Sequence, residues 1–198
     1  MTSFRDDALE LILRTLADPR GAARQICTYS ISKPVLWNMV LLVVILSVLL
    51  TYVTAVVVGQ QALLIDVIGS PMVFTLLMFT QMVVLIFAIF WVGQMLGGQA
   101  SLDDTAMLVT WLQAMWLIAQ VFQTIIMTIS PATASLFGFV AIAYGIWILI
   151  QFVSEANGFA SWLKGAGVLV LSILGVVAGI SFLLSVIGIS TVGIFANV

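Results

Sequence analysis

Histidine does not occur in this 198-residue chain, and cysteine occurs once, at Cys27. Without histidine the usual nitrogen ligand of transition metals is missing, and so is the commonest base for activating a nucleophile. A single cysteine permits no intramolecular disulfide. No metal, cofactor or redox centre is therefore expected. Charge is equally scarce: Asp, Glu, Lys and Arg make up 7% of the residues, against about 25% in an ordinary soluble domain. The six Lys and Arg are too few and too dispersed for a nucleic-acid surface, so nucleic acid is excluded as a partner. What the chain has instead is apolar surface, with 63% hydrophobic residues and a mean hydropathy of +1.28. Its solvent is the lipid bilayer. Arg5, Asp6, Asp7 and Glu10 interrupt the place where the apolar run of a signal peptide would lie, so none is expected there.

The uncharged blocks Pro34 to Ile65, Val67 to Leu102, Thr105 to Ser154 and Gly165 to Val198 are each long enough to cross a bilayer. The third is too long for one crossing, and Ser130 and Pro131 mark a turn near its centre. Five spans follow, at about 35–58, 71–96, 105–129, 132–153 and 166–189. The expected fold is an all-α integral membrane protein: a five-helix domain over 34–190, an amphipathic helical N-terminal arm over 1–33, and a short tail over 191–198.

Charge then orients the spans. With the N-terminus inside, residues 1–33, Gly97 to Asp104 and Ser154 to Lys164 share one side and hold all six Lys and Arg. The opposite side has Asp66 as its only charged residue. By the positive-inside rule the arm is cytoplasmic and the C-terminus lies outside.

Within the arm, Ser3 caps a first helix whose Phe4, Ala8, Leu11, Ile12 and Leu16 fall on one side, with Asp6, Asp7, Glu10 and Arg14 on the other. Asp18 caps a second helix that begins at Pro19 and projects Arg20 and Arg24 from one face. Two readings stand: an interfacial arm whose apolar side lies on the membrane while its charged side meets a cytoplasmic partner, or a surface helix packed over the span ends. Ser101 caps the third span, with Asp103 and Asp104 in its first turn serving the helix dipole or pairing with Arg20 or Arg24. Glu155 either bonds Lys164 across its loop or faces the cytoplasm. The candidate partner-binding residues are thus Arg14, Asp18, Arg20, Arg24, Asp103, Asp104 and Glu155.

No Asp, Glu, Lys or Arg lies within a span, which sets the chain apart from carriers that place proton relays at membrane depth. The main intramembrane polar set is a stripe on the third span, Gln113, Gln120 and Gln123. It either lines a cavity or hydrogen-bonds neighbouring helices, with Gln81 and Gln94 of the second span as partners. Gly93 and Gly97, Ala141 and Gly145, and Gly175 and Gly179 sit four apart and permit close helix approach, including self-association. Asp103 and Asp104 are adjacent, so their side chains diverge and make no acid and base pair. No glycine-rich phosphate loop appears. Catalysis is not expected.

The arm segment Asp18-Pro19-Arg20-Gly21-Ala22-Ala23, the five spans, and the stretch Gly97 to Asp104 leading into Trp111-Leu112-Gln113 resemble bacterial members of the Yip family. Eukaryotic relatives in that family interact with Ypt or Rab GTPases. The resemblance implies a five-span fold with a cytoplasmic N-terminus in the bacterial inner membrane. Together these readings describe a non-enzymatic protein that binds or organises other membrane components through its cytoplasmic face. The alternatives are a small transporter or lipid-handling protein using the glutamine stripe, or an accessory subunit of a larger membrane complex.

Overall fold

The computed structural model describes residues 4–59 and 70–186. The expectations placed on Ser3, on Asp66, on the end of the fifth span and on the tail lie outside these residues. Seven helices are described: α1 Phe4–Ala17, α2 Pro19–Cys27, α3 Lys33–Val58, α4 Pro71–Met95, α5 Leu102–Ile129, α6 Pro131–Ala156 and α7 Trp162–Val186. The last five are long and apolar enough to cross a membrane, and among the described residues there is no strand.

Each boundary has a local cause. Pro stands in the first turn of α2, α3, α4 and α6, where its missing N–H costs no hydrogen bond. Ser70 and Ser130 accept from the main-chain N–H groups of Val73 and Thr133 at the starts of α4 and α6. Ser101 and Asp104 form a reciprocal capping box on α5. Gly59 and Gly97 have φ of 74° and 82°, the left-handed conformation that only glycine adopts without strain, and they end the runs of α3 and α4.

α5 is the organising helix, packed against α3 on one side and α6 on the other, while α4 and α7 pair with each other. On α3 the buried residues Leu36, Val40, Val44 and Val48 recur every four residues, a single line that faces the bundle. α2 sits close against α5 and α6 because its inner face is Gly21, Ala22, Ala23 and Ile26. At α6 and α7 the helices run three to four residues beyond the expected spans at the arm end. The polar Ser154 and Lys164 read as span limits, yet Ser154 is fully buried and satisfies its hydroxyl by donating to the Ile150 carbonyl at 2.7 Å.

Candidate functional site

The starts of α3, α5 and α7 and the ends of α4 and α6 lie at one end of the bundle, and the α1–α2 arm packs along the sides of α5 and α6 near that end. Asp18 caps α2 by accepting from the Gly21 N–H at 3.0 Å. A Cβ on Gly21 would fall 2.1 Å from Asp18 Oδ2, so the cap requires glycine there. From this start Arg20 and Arg24 reach two successive turns of α6. Arg20 Nε donates to Gln151 Oε1 at 2.7 Å, and Arg24 Nε meets Glu155 Oε1 at 2.9 Å. Equal steps of four residues on both helices make α2 run alongside the last turns of α6 in the same direction.

This arrangement corrects the expected pairings of Glu155 and Asp103, while Asp104 serves the start of α5 as expected. Glu155 bonds Arg24 rather than Lys164, whose ammonium instead lies 5.5 Å from the centre of the Phe159 ring. Asp103 meets Lys33 at 3.9 Å, not Arg20 or Arg24. Asp104 is used in the Ser101 cap, accepting from its N–H and hydroxyl. The physical reason is register: α2 follows α6, which brings its arginines to α6 side chains before they can reach the start of α5. Arg14 turns to its neighbour α2, with Nη1 donating to Gln25 Oε1 at 2.8 Å.

The packed face of α1 follows the expected one at Leu11, which is buried, and at Ala8 and Ile12, which are half-buried, but it takes in Thr15 and leaves Leu16 exposed, as it does Leu9 and Leu13. Thr15 is fully buried because its hydroxyl accepts from Trp111 Nε1 of α5 at 2.9 Å and donates to the Leu11 carbonyl at 2.7 Å. Tyr144 of α6 donates its hydroxyl to the Leu16 carbonyl, one of the groups that the end of α1 would otherwise leave unpaired. Thr15, Tyr144 and Gln151 were not singled out in the sequence, and Trp111 stood out only in the stretch that carries the resemblance, not as a partner of the arm. Only the four-residue step from Leu11 to Thr15 hints at a shared face. Asn157 was missed too: it is buried at the end of α6, its carbonyl accepts from Gln99 N–H at 3.4 Å, and Cβ atoms on Gly93 or Gly98 would strike its Oδ1. Burial pushes the Cys27 thiol up to about 11, with Asp104 and Glu155 adding to the rise, so it is a poor nucleophile near neutral pH.

Deeper in the bundle the glutamine stripe faces neighbouring helices. Gln113 Nε2 donates to Ser47 Oγ at 3.0 Å and Gln120 Nε2 to Thr51 Oγ1 at 3.1 Å, both on α3. Gln123 Nε2 reaches the Ala134 carbonyl of α6 at 3.4 Å. A contact at 2.8 Å between Thr54 and Thr124 extends the α3–α5 ladder. The partners expected on the second span are not used: Gln94 donates to the Ala100 carbonyl, capping its own loop, and Gln81 is exposed. Substitution of Gln113 or Gln120 by leucine is expected to lower stability by about 0.6 to 2 kcal/mol each. Their separation along α5 makes the two losses nearly additive. Unfolding in mild detergent checks this, and two variants as stable as wild type would remove the ladder as a source of helix association. Of the small-residue pairs, Gly145 receives the Trp116 ring, whereas Gly175 and Gly179 have nothing within 4 Å of a Cβ.

Among the described residues no group of three or more Cys, Asp or Glu is placed to hold a metal ion. No curated protein and no solved structure matches the chain. The family model described as the Yip1 domain matches residues 13–193, from the middle of α1 to beyond α7. With that match over most of its length and five helices able to span a bilayer, the chain belongs to the Yip1 domain family of multi-pass membrane proteins.

Proposed function

We propose that this protein is a non-enzymatic organiser of the bacterial inner membrane, binding other membrane components through the end that carries the arm, with that end cytoplasmic and the C-terminus outside. The observation that carries the reading is the concentration of cationic groups there. Arg14, Arg20, Arg24, Lys33 and Lys164 lie on the arm or within the first turns of α3 and α7. The positive-inside rule makes such an end cytoplasmic. The ion pairs leave much of this charge available: the side chains of Arg24 and Lys33 are 69% and 76% exposed although Glu155 and Asp103 face them. Exposed pairs of this kind hold little energy, so a partner can exchange them at low cost. The glutamine stripe, hydrogen-bonded between helices, weighs against a polar pathway through the bundle.

Chemical crosslinking in native membranes, followed by purification in mild detergent, tests the reading. A membrane protein retained in stoichiometric amount by the wild type is expected to be lost on Arg24→Glu with Lys33→Glu, while the variant keeps its helical content. Recovery of no partner from crosslinked membranes, or retention unaffected by the charge reversals, would count against it.

A further inference from the structure

We propose that α1 is embedded in the leaflet on the arm's side, with lipid acyl chains covering its outward apolar sector and filling the groove between it, α5 and α6.

Depth is the first argument. The hydroxyl that meets the Leu16 carbonyl belongs to Tyr144, twelve residues before the end of α6 at Ala156. At 1.5 Å per residue that is about 18 Å of rise from the arm end. Trp111, bonded to Thr15, is nine residues beyond Leu102, or about 13 Å. A 26-residue span is about 39 Å long, against about 30 Å of hydrocarbon. Even if the whole excess of about 9 Å projects on the arm's side, the last turn of α1 still lies below the hydrocarbon boundary.

The order of residues around α1 is the second. Over residues 7–16, Ala8, Leu11 and Thr15 face the bundle; going round the helix from them come Ile12, Leu16, Leu9 and Leu13, and then Glu10, Arg14 and Asp7. Ile12 and Leu16 border a groove of about 360 Å³ whose other walls include Trp116, Phe122, Val140 and Tyr144. Phe122 and Val140 are exposed residues of spanning helices, so the groove opens directly onto the lipid-facing surface. The sector next to it, Leu9 and Leu13, is 54% and 62% exposed. Continuity with a surface already covered by lipid identifies the occupant. The charged sector lies on the other side, where Arg14 bends to Gln25 and long side chains reach toward the headgroups.

Polar satisfaction is the third. An embedded helix end needs its carbonyls paired without water. Tyr144 serves the Leu16 carbonyl, and Asp18 N–H donates to the Arg14 carbonyl at 2.7 Å.

Fluorescence quenching distinguishes lipid from its rivals. On a Cys27→Ser background, Leu13→Cys, Leu9→Cys and Glu10→Cys are labelled with bimane, purified and reconstituted in phosphatidylcholine vesicles. An acyl-chain nitroxide is expected to quench the Leu13 and Leu9 labels at least about twofold more than aqueous iodide does, with the preference reversed at Glu10. Equal access of iodide to Leu13 and Glu10 would overturn the proposal by placing the sector in water. Protection of both leucine sites from both quenchers would overturn it in favour of a protein cover, such as a second copy of the chain. Because Leu9 and Leu13 are both exposed, each variant leaves the packed face intact.

Discussion

Gly165→Leu is expected to abolish the packing of α7 on α6, and with it recovery of a monodisperse protein in mild detergent. Gly165 is buried, and a Cβ there would stand 2.1 Å from Ser154 Oγ and 2.7 Å from the Ile150 carbonyl oxygen. The Ser154 hydroxyl cannot swing away without losing the bond to that same carbonyl. The second obstacle is main chain, which moves only if α6 or α7 moves. Even Gly165→Ala should therefore cost about 1 to 3 kcal/mol, the range for overpacking a well-filled site. Gly175→Ala is the matched comparison on the same helix: nothing lies within 4 Å of its Cβ, and no loss is expected. Unfolding midpoints in one detergent read all three variants. A Gly165→Leu protein with the wild-type midpoint would mean that the two helices do not approach as closely as this.

Arg20→Met should release the arm. Gln151 is 7% exposed, and its Oε1 accepts from Arg20; with the guanidinium gone a buried amide is left unpaired, at a cost of about 1 to 3 kcal/mol. Because every 1.4 kcal/mol is a factor of ten, the open arm should be populated roughly 5- to 150-fold more. Trypsin cleavage after Arg14 and Arg24 should quicken in proportion when opening is fast. Adding Gln151→Leu is expected to restore much of the loss, since replacing both partners by apolar groups leaves nothing unsatisfied. Wild-type proteolysis of Arg20→Met would show that the arm is held by its other contacts, without need of the bond to Gln151. The neighbouring Arg24 and Glu155 pair makes the contrast. Arg24 is largely exposed, and exposed pairs contribute only about 0 to 1 kcal/mol.

Legibility in the sequence followed the range of the interaction. The Ser101 and Asp104 capping box and the Asp18 to Gly21 cap close within three residues, so short motifs revealed them. The Ser130 and Pro131 turn between α5 and α6 was equally plain. Arg20 and Gln151 are 131 residues apart, and Trp111 and Thr15 are 96 apart. No local pattern marks such partners, because each side chain has several acceptors within reach of a helix face and only packing chooses among them. The same holds for Gln113 and Gln120, whose spacing on α5 was visible but whose hydroxyl partners on α3 were not.

By itself the sequence determined the solvent, the number of spanning helices and the capped helix starts at Asp18, Ser101 and Ser130. Each follows from hydropathy summed over some twenty residues or from a cap a few residues long, and neither needs the rest of the chain. Tertiary structure alone decided which charges pair, that Thr15 joins the packed side of α1, and that the glutamines of α5 tie it to α3 and α6. Those outcomes depend on how the helices are rotated and offset against one another. Among helices apolar on every side, hydropathy does not set that rotation; the close fit of Gly165 on Ser154 and of Gly145 on Trp116 does.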